Sequence, residues 1–229
     1  MRKLVVVGSS IQPKQGRFTY SPTRSVFSAE ERFRQTIFTI NSLRNCLPDA
    51  KIVIVDSSDD YKEYLFINGF FKNVEFIPLK ELSGEAYEIA NNHQNKRVCE
   101  SVLLNAYYKQ YKKHILEHDM VIKATGRYFY FNFNDASFTH TDIYFKRPLA
   151  FNWNDTWNYS FVDRRAEQNN NCLQQYCTVL YAFGSKHLDK FIDINEASIH
   201  LMNTKSMAHY DIETLSYYLT RPYTDILTE

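Results

Sequence analysis

The 229-residue chain lacks the patterns that mark several large protein classes. No apolar run approaches the roughly 18 residues that a membrane-spanning helix needs. Its six glycines form neither the Gly-x-x-x-x-Gly-Lys loop of P-loop enzymes nor the Gly-x-Gly-x-x-Gly turn of dinucleotide-binding folds. The Gly-x-Ser-x-Gly and His-Glu-x-x-His motifs are missing too, which argues against the hydrolase classes that they mark.

Cysteine and net charge are also scarce. The four cysteines, Cys46, Cys99, Cys172 and Cys177, lack the paired spacing of a zinc site, so free thiols are expected. The formal net charge of +1 gives no sign of a nucleic-acid partner. The apolar residues 4–7 are too few for a signal-peptide core and are predicted to be a first strand. We therefore expect a cytoplasmic protein, with peripheral membrane association left open.

Short apolar runs alternate with helical patterns over the first 130 residues. Strands are predicted at residues 4–7, 51–55, 74–78 and 120–122, and helices at 28–47, 61–68 and 97–117. Ser28-Ala-Glu-Glu31 is a capping box, which predicts the start of the first of these helices. Strand and helix in alternation predict an α/β fold with parallel strands.

The second half has a different pattern. Strands are predicted at residues 142–146 and 177–183 and helices at 185–193 and 211–219, around a polar stretch at 152–171. No repeat, low-complexity tract or obvious linker divides the chain. We predict a single domain over residues 1–229, with a ligand-binding half at 1–130 and a mixed half at 131–229.

The strand at 120–122 is followed by charged residues, which are poor choices for packing. Lys123, Gly126, Arg127 and Tyr128 follow it within six positions. Ligands of open α/β sheets bind beyond the carboxyl ends of the strands. Guanidinium groups bind phosphate or carboxylate in a bidentate manner, and glycine lets backbone approach a ligand closely. We expect Lys123 and Arg127 to bind an anion, with a structural salt bridge to a nearby acid as the alternative.

Polar residues also follow the first two strands. Asp56 and Ser57 come after the second strand and could accept hydrogen bonds from a ribose or a base. Ser9 and Ser10, after the first strand, could contact the same nucleotide. Ordinary cap and turn hydrogen bonds are an equal alternative for these four residues.

Two further groups have two interpretations each. Lys96 and Glu100 lie one helical turn apart, either as a surface ion pair or with Lys96 near a diphosphate at the helix N-terminus. In His209-Tyr-Asp211-Ile-Glu213, Asp211 is either a helix cap or, with Glu213, a general base or acceptor anchor. His209 would then be a metal ligand or a hydrogen-bond donor.

Four segments of the chain resemble small GT-A-type glycosyltransferases of surface-polysaccharide synthesis in bacteria and large DNA viruses. The segments are Arg24-Ser-Val-Phe-Ser-Ala-Glu-Glu-Arg32-Phe-Arg-Gln-Thr36, Ile54-Val-Asp56-Ser-Ser58, Lys96-Arg-Val-Cys-Glu100 and Ile122-Lys-Ala-Thr-Gly-Arg-Tyr128. Similar enzymes also have an acidic segment like Asp211-Ile-Glu213 near the C-terminus. The resemblance implies a GT-A-like (Rossmann-like) fold, with a mixed, mainly parallel sheet flanked by helices.

The resemblance also implies a reaction. A sugar would pass from a nucleoside-diphosphate sugar, bound by residues 1–130, to a hydroxyl of a carbohydrate or glycolipid acceptor, bound by residues 131–229. The protein would act in the cytoplasm, at the inner membrane face of a bacterium or in an infected host cell.

Site residues follow from the same resemblance. Those implied for the sugar nucleotide are Ser9, Ser10, Arg24, Asp56, Ser57, Lys96, Lys123, Gly126, Arg127 and Tyr128. The cations among them would neutralise the diphosphate, with Arg32 as a further candidate. Asp135, Asp211 or Glu213 would deprotonate or position the acceptor.

One departure from the family leaves metal dependence open. Most GT-A enzymes hold Mn²⁺ or Mg²⁺ with an Asp-x-Asp at the end of the fourth main strand, where this chain has Lys123-Ala-Thr-Gly-Arg127. Either fixed cations replace the metal, or Asp56, Asp135 or His209 holds it. Retention or inversion of the sugar's configuration is equally open.

Two other functions compete with sugar transfer. A sugar nucleotidyltransferase would need a glycine-rich basic loop after the first strand, and Lys14-Gln-Gly16-Arg17 is a weak version of one. A non-catalytic glycan- or nucleotide-binding module would use the 17 tyrosines and 17 phenylalanines for stacking alone.

Overall fold

The computed structural model describes residues 1–18, 21–130, 143–152 and 172–204, with the backbone alone for 143–152 and 172–179. Within these ranges, six strands form one sheet: β1 (Lys3–Ser9), β2 (Lys51–Asp56), β3 (Val74–Pro78), β4 (Met120–Thr125), β5 (Ile143–Asn152) and β6 (Cys172–Gly184). Their order across the sheet is β3-β2-β1-β4-β6-β5.

The sheet is mixed and mainly parallel. Strands β3, β2, β1 and β4 are parallel, whereas β6 runs antiparallel to both β4 and β5. The predicted fold class is therefore confirmed. The chain moves outwards from β1 to β2 and β3 and then returns to β4 on the other side of β1. Ligands of open α/β sheets bind at such a reversal of strand order.

The helices in the described part of the chain are α1 (Ala29–Cys46), α2 (Ile67–Phe70), α3 (Leu79–Leu82), α4 (Gly84–Asn92), α5 (Lys96–Gln110), α6 (Lys112–Leu116) and α7 (Leu188–Asn203). The predicted capping box starts α1: Glu31 N donates to Ser28 Oγ at 3.2 Å, and Ser28 N donates to Glu31 Oε2 at 2.8 Å. None of these helices is long and apolar enough to cross a membrane.

Several predicted boundaries were wrong. The helix predicted at 97–117 is two helices, because Tyr111 adopts a non-helical backbone (φ −104°, ψ 19°) between α5 and α6. The helix predicted at 61–68 is a 3₁₀ turn, Lys62–Tyr64, followed by α2, and α4 was not predicted. Strands β5 and β6 and helix α7 extend beyond their predicted limits, whereas the helix predicted at 211–219 lies outside the described residues.

The core has two layers, because side chains of a strand alternate between its faces. Leu4 and Val6 of β1 pack with α5 on one face, and Val5 and Val7 pack with α1 on the other. Helix α1 lies between the parallel strands β1 and β2, and α5 lies between β3 and β4. A helix that follows one parallel strand and leads back to the next begins near the carboxyl ends of the strands. This arrangement brings the first turns of α1 and α5 to opposite sides of the same sheet edge.

Candidate functional site

A cleft of about 280 Å³, here called the carboxyl-edge cleft, opens at the ends of β1, β2 and β4. Gly8, Ser9 and Ser57 line it from β1 and the end of β2, and Thr125, Gly126 and Arg127 line it from β4 and the following turn. Residues of the described ranges 10–18 and 21–27 cover one side, and the first turns of α1 and α5 supply Arg32, Lys96 and Glu100.

The cleft gathers most of the predicted sugar-nucleotide residues. Those that line it are Ser9, Ser10, Arg24, Ser57, Lys96, Gly126 and Arg127. Three predicted residues are not part of its lining, namely Asp56, Lys123 and Tyr128. The predicted second-half residues Asp135, His209, Asp211 and Glu213 lie outside the described residues.

The turn after β4 lies directly against β1. Gly126 N donates to Gly8 O at 3.0 Å, and a Cβ atom on Gly126 would lie 3.2 Å from that oxygen. Arg127 follows in the left-handed backbone region, with φ 78°, and its backbone N donates to Thr39 Oγ1 at 2.9 Å. The backbone of Arg127 is thus held between β1 and α1 in a conformation that is strained for a non-glycine residue.

Arg127 presents an uncommitted positive charge at the cleft. Its side chain is half-buried, and its guanidinium makes no hydrogen bond or ion pair with any residue of the described ranges. Burial lowers the pKa of neighbouring Arg32 to about 10, with the charge of Arg127 acting in the same direction and that of Asp56 opposing it. Two like charges therefore share a partly desolvated space, which favours binding of an anion.

Arg32 also fixes the segment that covers the cleft. Its Nε donates to Ser10 O at 2.5 Å, and its Nη1 donates to Ser25 Oγ at 3.0 Å. Arg24 is used in a similar way, because its guanidinium donates to Ala90 O at 3.1 Å and to His93 O at 2.5 Å, near the end of α4.

The position of Lys123 differs from its predicted one. Strand β4 continues to Thr125, so Lys123 lies within the strand and, like Val121, faces α5. Its side chain is 1% exposed, and its Nζ lies 2.5 Å from Glu100 Oε1 and 2.7 Å from Thr125 Oγ1. A buried strand can hold this ammonium because a carboxylate lies beside it. For Lys123, the structure thus has the salt bridge to a nearby acid that was the alternative to anion binding.

Glu100 is a charged residue of the cleft, whereas the sequence predicted it only as a possible surface ion-pair partner of Lys96. Burial alone would raise the pKa of its carboxyl group. The charges of Lys123 and Lys96 and hydrogen bonds from Lys123 and Thr125 outweigh burial and hold that pKa below its usual value. Glu100 is therefore ionised at neutral pH, and its side chain is 26% exposed.

Asp56 has the turn role that the sequence left as an alternative. It is 0% exposed, its Oδ2 accepts from Ile11 N at 3.0 Å, and its Oδ1 accepts from Ser58 N at 2.8 Å. Both carboxylate oxygens thus hold backbone around the cleft.

The described residues of the cleft offer few oxygen ligands for a divalent cation. Among the described side chains, no group of three or more His, Cys, Asp or Glu lies close enough together to hold a metal ion. In the described part of the chain, the cleft is lined by the cations Arg24, Arg32, Lys96 and Arg127 and by one carboxylate, that of Glu100, whose Oε1 contacts Lys123. The described lining therefore does not fit Mn²⁺ or Mg²⁺, which prefer several oxygen ligands.

Comparisons with known proteins identify the fold. No protein-family model and no curated protein sequence matches the chain. Among solved structures, the galactosyltransferase LgtC in complex with donor and acceptor sugar analogues aligns over 98% of this chain and 72% of its own, with a TM-score of 0.54 and 9% identity. The glycosyltransferase GlyE of Streptococcus pneumoniae TIGR4 aligns over 99% of this chain and 45% of its own, with a TM-score of 0.50 and 10% identity. The chain thus has the GT-A-like fold of nucleotide-sugar transferases, as the resemblance implied.

Proposed function

We propose that the protein transfers a sugar from a nucleoside-diphosphate sugar to a hydroxyl of a carbohydrate acceptor. The observation that carries this proposal is the half-buried guanidinium of Arg127, which has no partner in the described ranges and lies beside Arg32. The two charges lie at the reversal of strand order, where this fold class binds ligands. LgtC, which shares the fold, was solved with donor and acceptor sugar analogues.

The geometry suits departure of a diphosphate. Negative charge develops on the leaving nucleoside diphosphate, and fixed cations in a partly desolvated site stabilise that charge without reorganising. Arg127 and Arg32 would bind the phosphate oxygens, with Lys96 at the start of α5 as a third cation. The hydroxyls of Ser9 and Ser57 would then contact the nucleoside at the ends of β1 and β2.

Activation of the acceptor belongs to the second half of the chain in this proposal. Asp135, Asp211 or Glu213 would deprotonate or position the acceptor hydroxyl, and all three lie outside the described residues. We further propose that this reaction serves the synthesis of a surface polysaccharide, in the cytoplasm or at a membrane face.

The structure favours transfer over nucleotidyl transfer at one point. The basic loop that a nucleotidyltransferase would use is represented by Lys14 and Gly16, and neither lines the cleft. Lys14 Nζ instead donates to Asn92 Oδ1 at 3.1 Å, on the exposed surface.

The test is a panel of UDP-, GDP- and dTDP-sugars, with and without Mn²⁺, with product detection by mass spectrometry. Slow release of free sugar and nucleoside diphosphate, accelerated by a carbohydrate acceptor, is the expected result. Pyrophosphate-dependent formation of a sugar 1-phosphate would instead identify a nucleotidyltransferase. Binding without turnover across varied acceptors would identify a binding module.

A further inference from the structure

The carboxyl-edge cleft has two chemically different walls. The cationic wall consists of Arg32 and Arg127, on the α1 face of the sheet. The α5 wall lies across the strand ends and includes Lys96 and Glu100. Glu100 supplies the one carboxylate among the described residues that line the cleft. A ligand that spans both walls meets phosphate-binding groups on one side and a carboxylate on the other.

The Glu100 carboxylate is held by one oxygen. Lys123 Nζ contacts Oε1 at 2.5 Å, and Thr125 Oγ1 donates to the same oxygen at 3.3 Å. No residue of the described part of the chain donates a hydrogen bond to Oε2. Lys123 and Thr125 thus orient the Glu100 carboxylate through Oε1, and Oε2 of this partly exposed side chain can still accept hydrogen bonds.

An ionised carboxylate only accepts hydrogen bonds, so its chemistry selects the part of a ligand that it can contact. Phosphate oxygens are excluded, because they are acceptors that carry the same charge. The hydroxyl groups of a sugar ring are hydrogen-bond donors, and hydrogen bonds to a charged acceptor are stronger than those between neutral groups.

We propose that Glu100 Oε2 accepts a hydrogen bond from a ring hydroxyl of the bound sugar nucleotide, which makes Glu100 a specificity-determining residue. This inference rests on the proposed function. The phosphates lie against the cationic wall, with Lys96 at the start of α5 as a third cation. A sugar ring, either the ribose or the transferred sugar, lies beside Glu100, one turn further along α5. The opposing interpretation is that Glu100 serves only to neutralise Lys123.

Two variants separate these interpretations. Lys123→Met removes the buried ammonium but keeps the Glu100 carboxylate in the cleft. Glu100→Gln/Lys123→Met removes both charges, so neither is left buried without the other. If Glu100 serves only Lys123, the affinities of the two variants differ by the same factor for every ligand, because the carboxylate that Lys123→Met retains repels the phosphates of all of them alike. If Glu100 binds a hydroxyl, the double variant alone loses affinity.

The probes are UDP, GDP and dTDP, their glucose conjugates, and their 2′,3′-dideoxy forms, with dissociation constants measured by calorimetry at pH 8. Thermal unfolding of each variant controls for folding. We expect the double variant to lose about tenfold in affinity, relative to Lys123→Met, for the ligands that carry the contacted hydroxyl. A loss confined to the glucose conjugates assigns the contact to the transferred sugar. A loss shared by the diphosphates but not their dideoxy forms assigns it to the ribose.

Three results would contradict the role of Glu100, and they differ in whether the proposed function also fails. The same ratio of affinities between the two variants for all probes would overturn the inference and leave the proposed function intact. Equal weakening of all probes, dideoxy forms included, would also overturn it, because the contact would not involve a sugar hydroxyl. If the unmodified protein binds none of the probes, the proposed function fails and the inference fails with it.

Discussion

Lys123 and Arg127 lie four positions apart near the end of β4, and their charges differ in burial and in partner. Lys123 is 1% exposed within β4 and contacts the Glu100 carboxylate. Arg127 lies in the turn after β4, half-buried, with its guanidinium unpaired among the described residues and its backbone at φ 78°. One cation belongs to the packing of the sheet against α5, and the other is available to a ligand.

The difference shows how burial and partner decide the role of a charge. A charge within a packed strand persists only beside a counter-charge, because desolvating it alone would cost several kcal/mol. A charge on a turn keeps part of its solvation and can exchange it for a ligand. Stability should therefore depend on the Lys123 pair, and binding should depend on Arg127.

The largest expected effect is on stability. Glu100→Ala removes the carboxylate beside a nearly buried ammonium, and loss of one partner of a buried pair costs on the order of 3 kcal/mol. The free energy of unfolding, measured in urea, should fall by about that amount. Glu100→Gln/Lys123→Met should recover most of the loss. If Glu100→Ala is as stable as the unmodified protein, the pair does not support the strand.

Arg127→Ala should have the opposite profile. Affinity for the sugar nucleotide should fall by about 2 kcal/mol, near thirtyfold, because a charged hydrogen-bonding group is lost. The free energy of unfolding should stay within about 0.5 kcal/mol of the unmodified value. Calorimetric binding and urea unfolding measure the two quantities.

A matched control for Arg127→Ala is Arg34→Ala. Arg34 is 69% exposed on α1 and pairs with Glu30 one helical turn away. Arg34→Ala removes one positive charge, as Arg127→Ala does. Its removal should leave affinity nearly unchanged. Equal weakening by both variants would show that Arg127 acts only through overall charge. Unfolding of Arg127→Ala with normal affinity in the remaining folded protein would favour a structural role.

Arg127→Gly sharpens the comparison further. Glycine adopts positive φ without steric strain, whereas arginine and alanine do not. Arg127→Gly should lose affinity as Arg127→Ala does, but it should be more stable than Arg127→Ala by about 1 kcal/mol. Urea unfolding of the two variants side by side measures this difference. Equal stability would show that the backbone at this turn relaxes when the side chain is removed.

Local patterns explain which features could be predicted from the sequence. The capping box of Ser28 and Glu31 spans three residues, and the structure forms both of its hydrogen bonds. The apolar runs at residues 4–7, 51–55 and 120–122 predicted β1, β2 and the start of β4, because buried parallel strands are rich in apolar residues. The carboxyl-edge position of the cleft follows from the alternation of strands and helices, which requires no side-chain detail.

The features that were missed depend on packing between distant segments. Glu100 was compared with Lys96 because helical neighbours are visible in a sequence, whereas its contact with Lys123 depends on how α5 packs against β4. The apolar pattern also ended β4 too early, because a lysine within a buried strand is predicted only if its counter-charge is known. The positive φ of Arg127 has no sequence signal, since such positions usually carry glycine.

A smaller effect should appear in acid. The pKa of Glu100 in the folded protein is held below its usual value, mainly by Lys123 acting against burial. As the pH falls, the unfolded chain takes up this proton first, so stability contributed by the pair is lost as the pH passes down through the lowered pKa. Between about pH 6 and pH 3, the unmodified protein should lose more stability than Glu100→Gln/Lys123→Met. Parallel stability curves for the two proteins would contradict this coupling.

The smallest expected effect is that of metal removal, which tests whether the unpaired charge of Arg127 takes a metal's place on the diphosphate. Arg32 and Arg127 already bring two positive charges together in the cleft, and Oε1 of its one described carboxylate contacts Lys123. We expect EDTA to change the dissociation constant for a nucleoside diphosphate by less than about twofold, or ~0.4 kcal/mol. Arg127→Ala should not be rescued by Mn²⁺, because the described lining offers no ligand set for the ion. A loss of affinity in EDTA that Mn²⁺ restores would instead show that a metal held by other residues shares the diphosphate with Arg127.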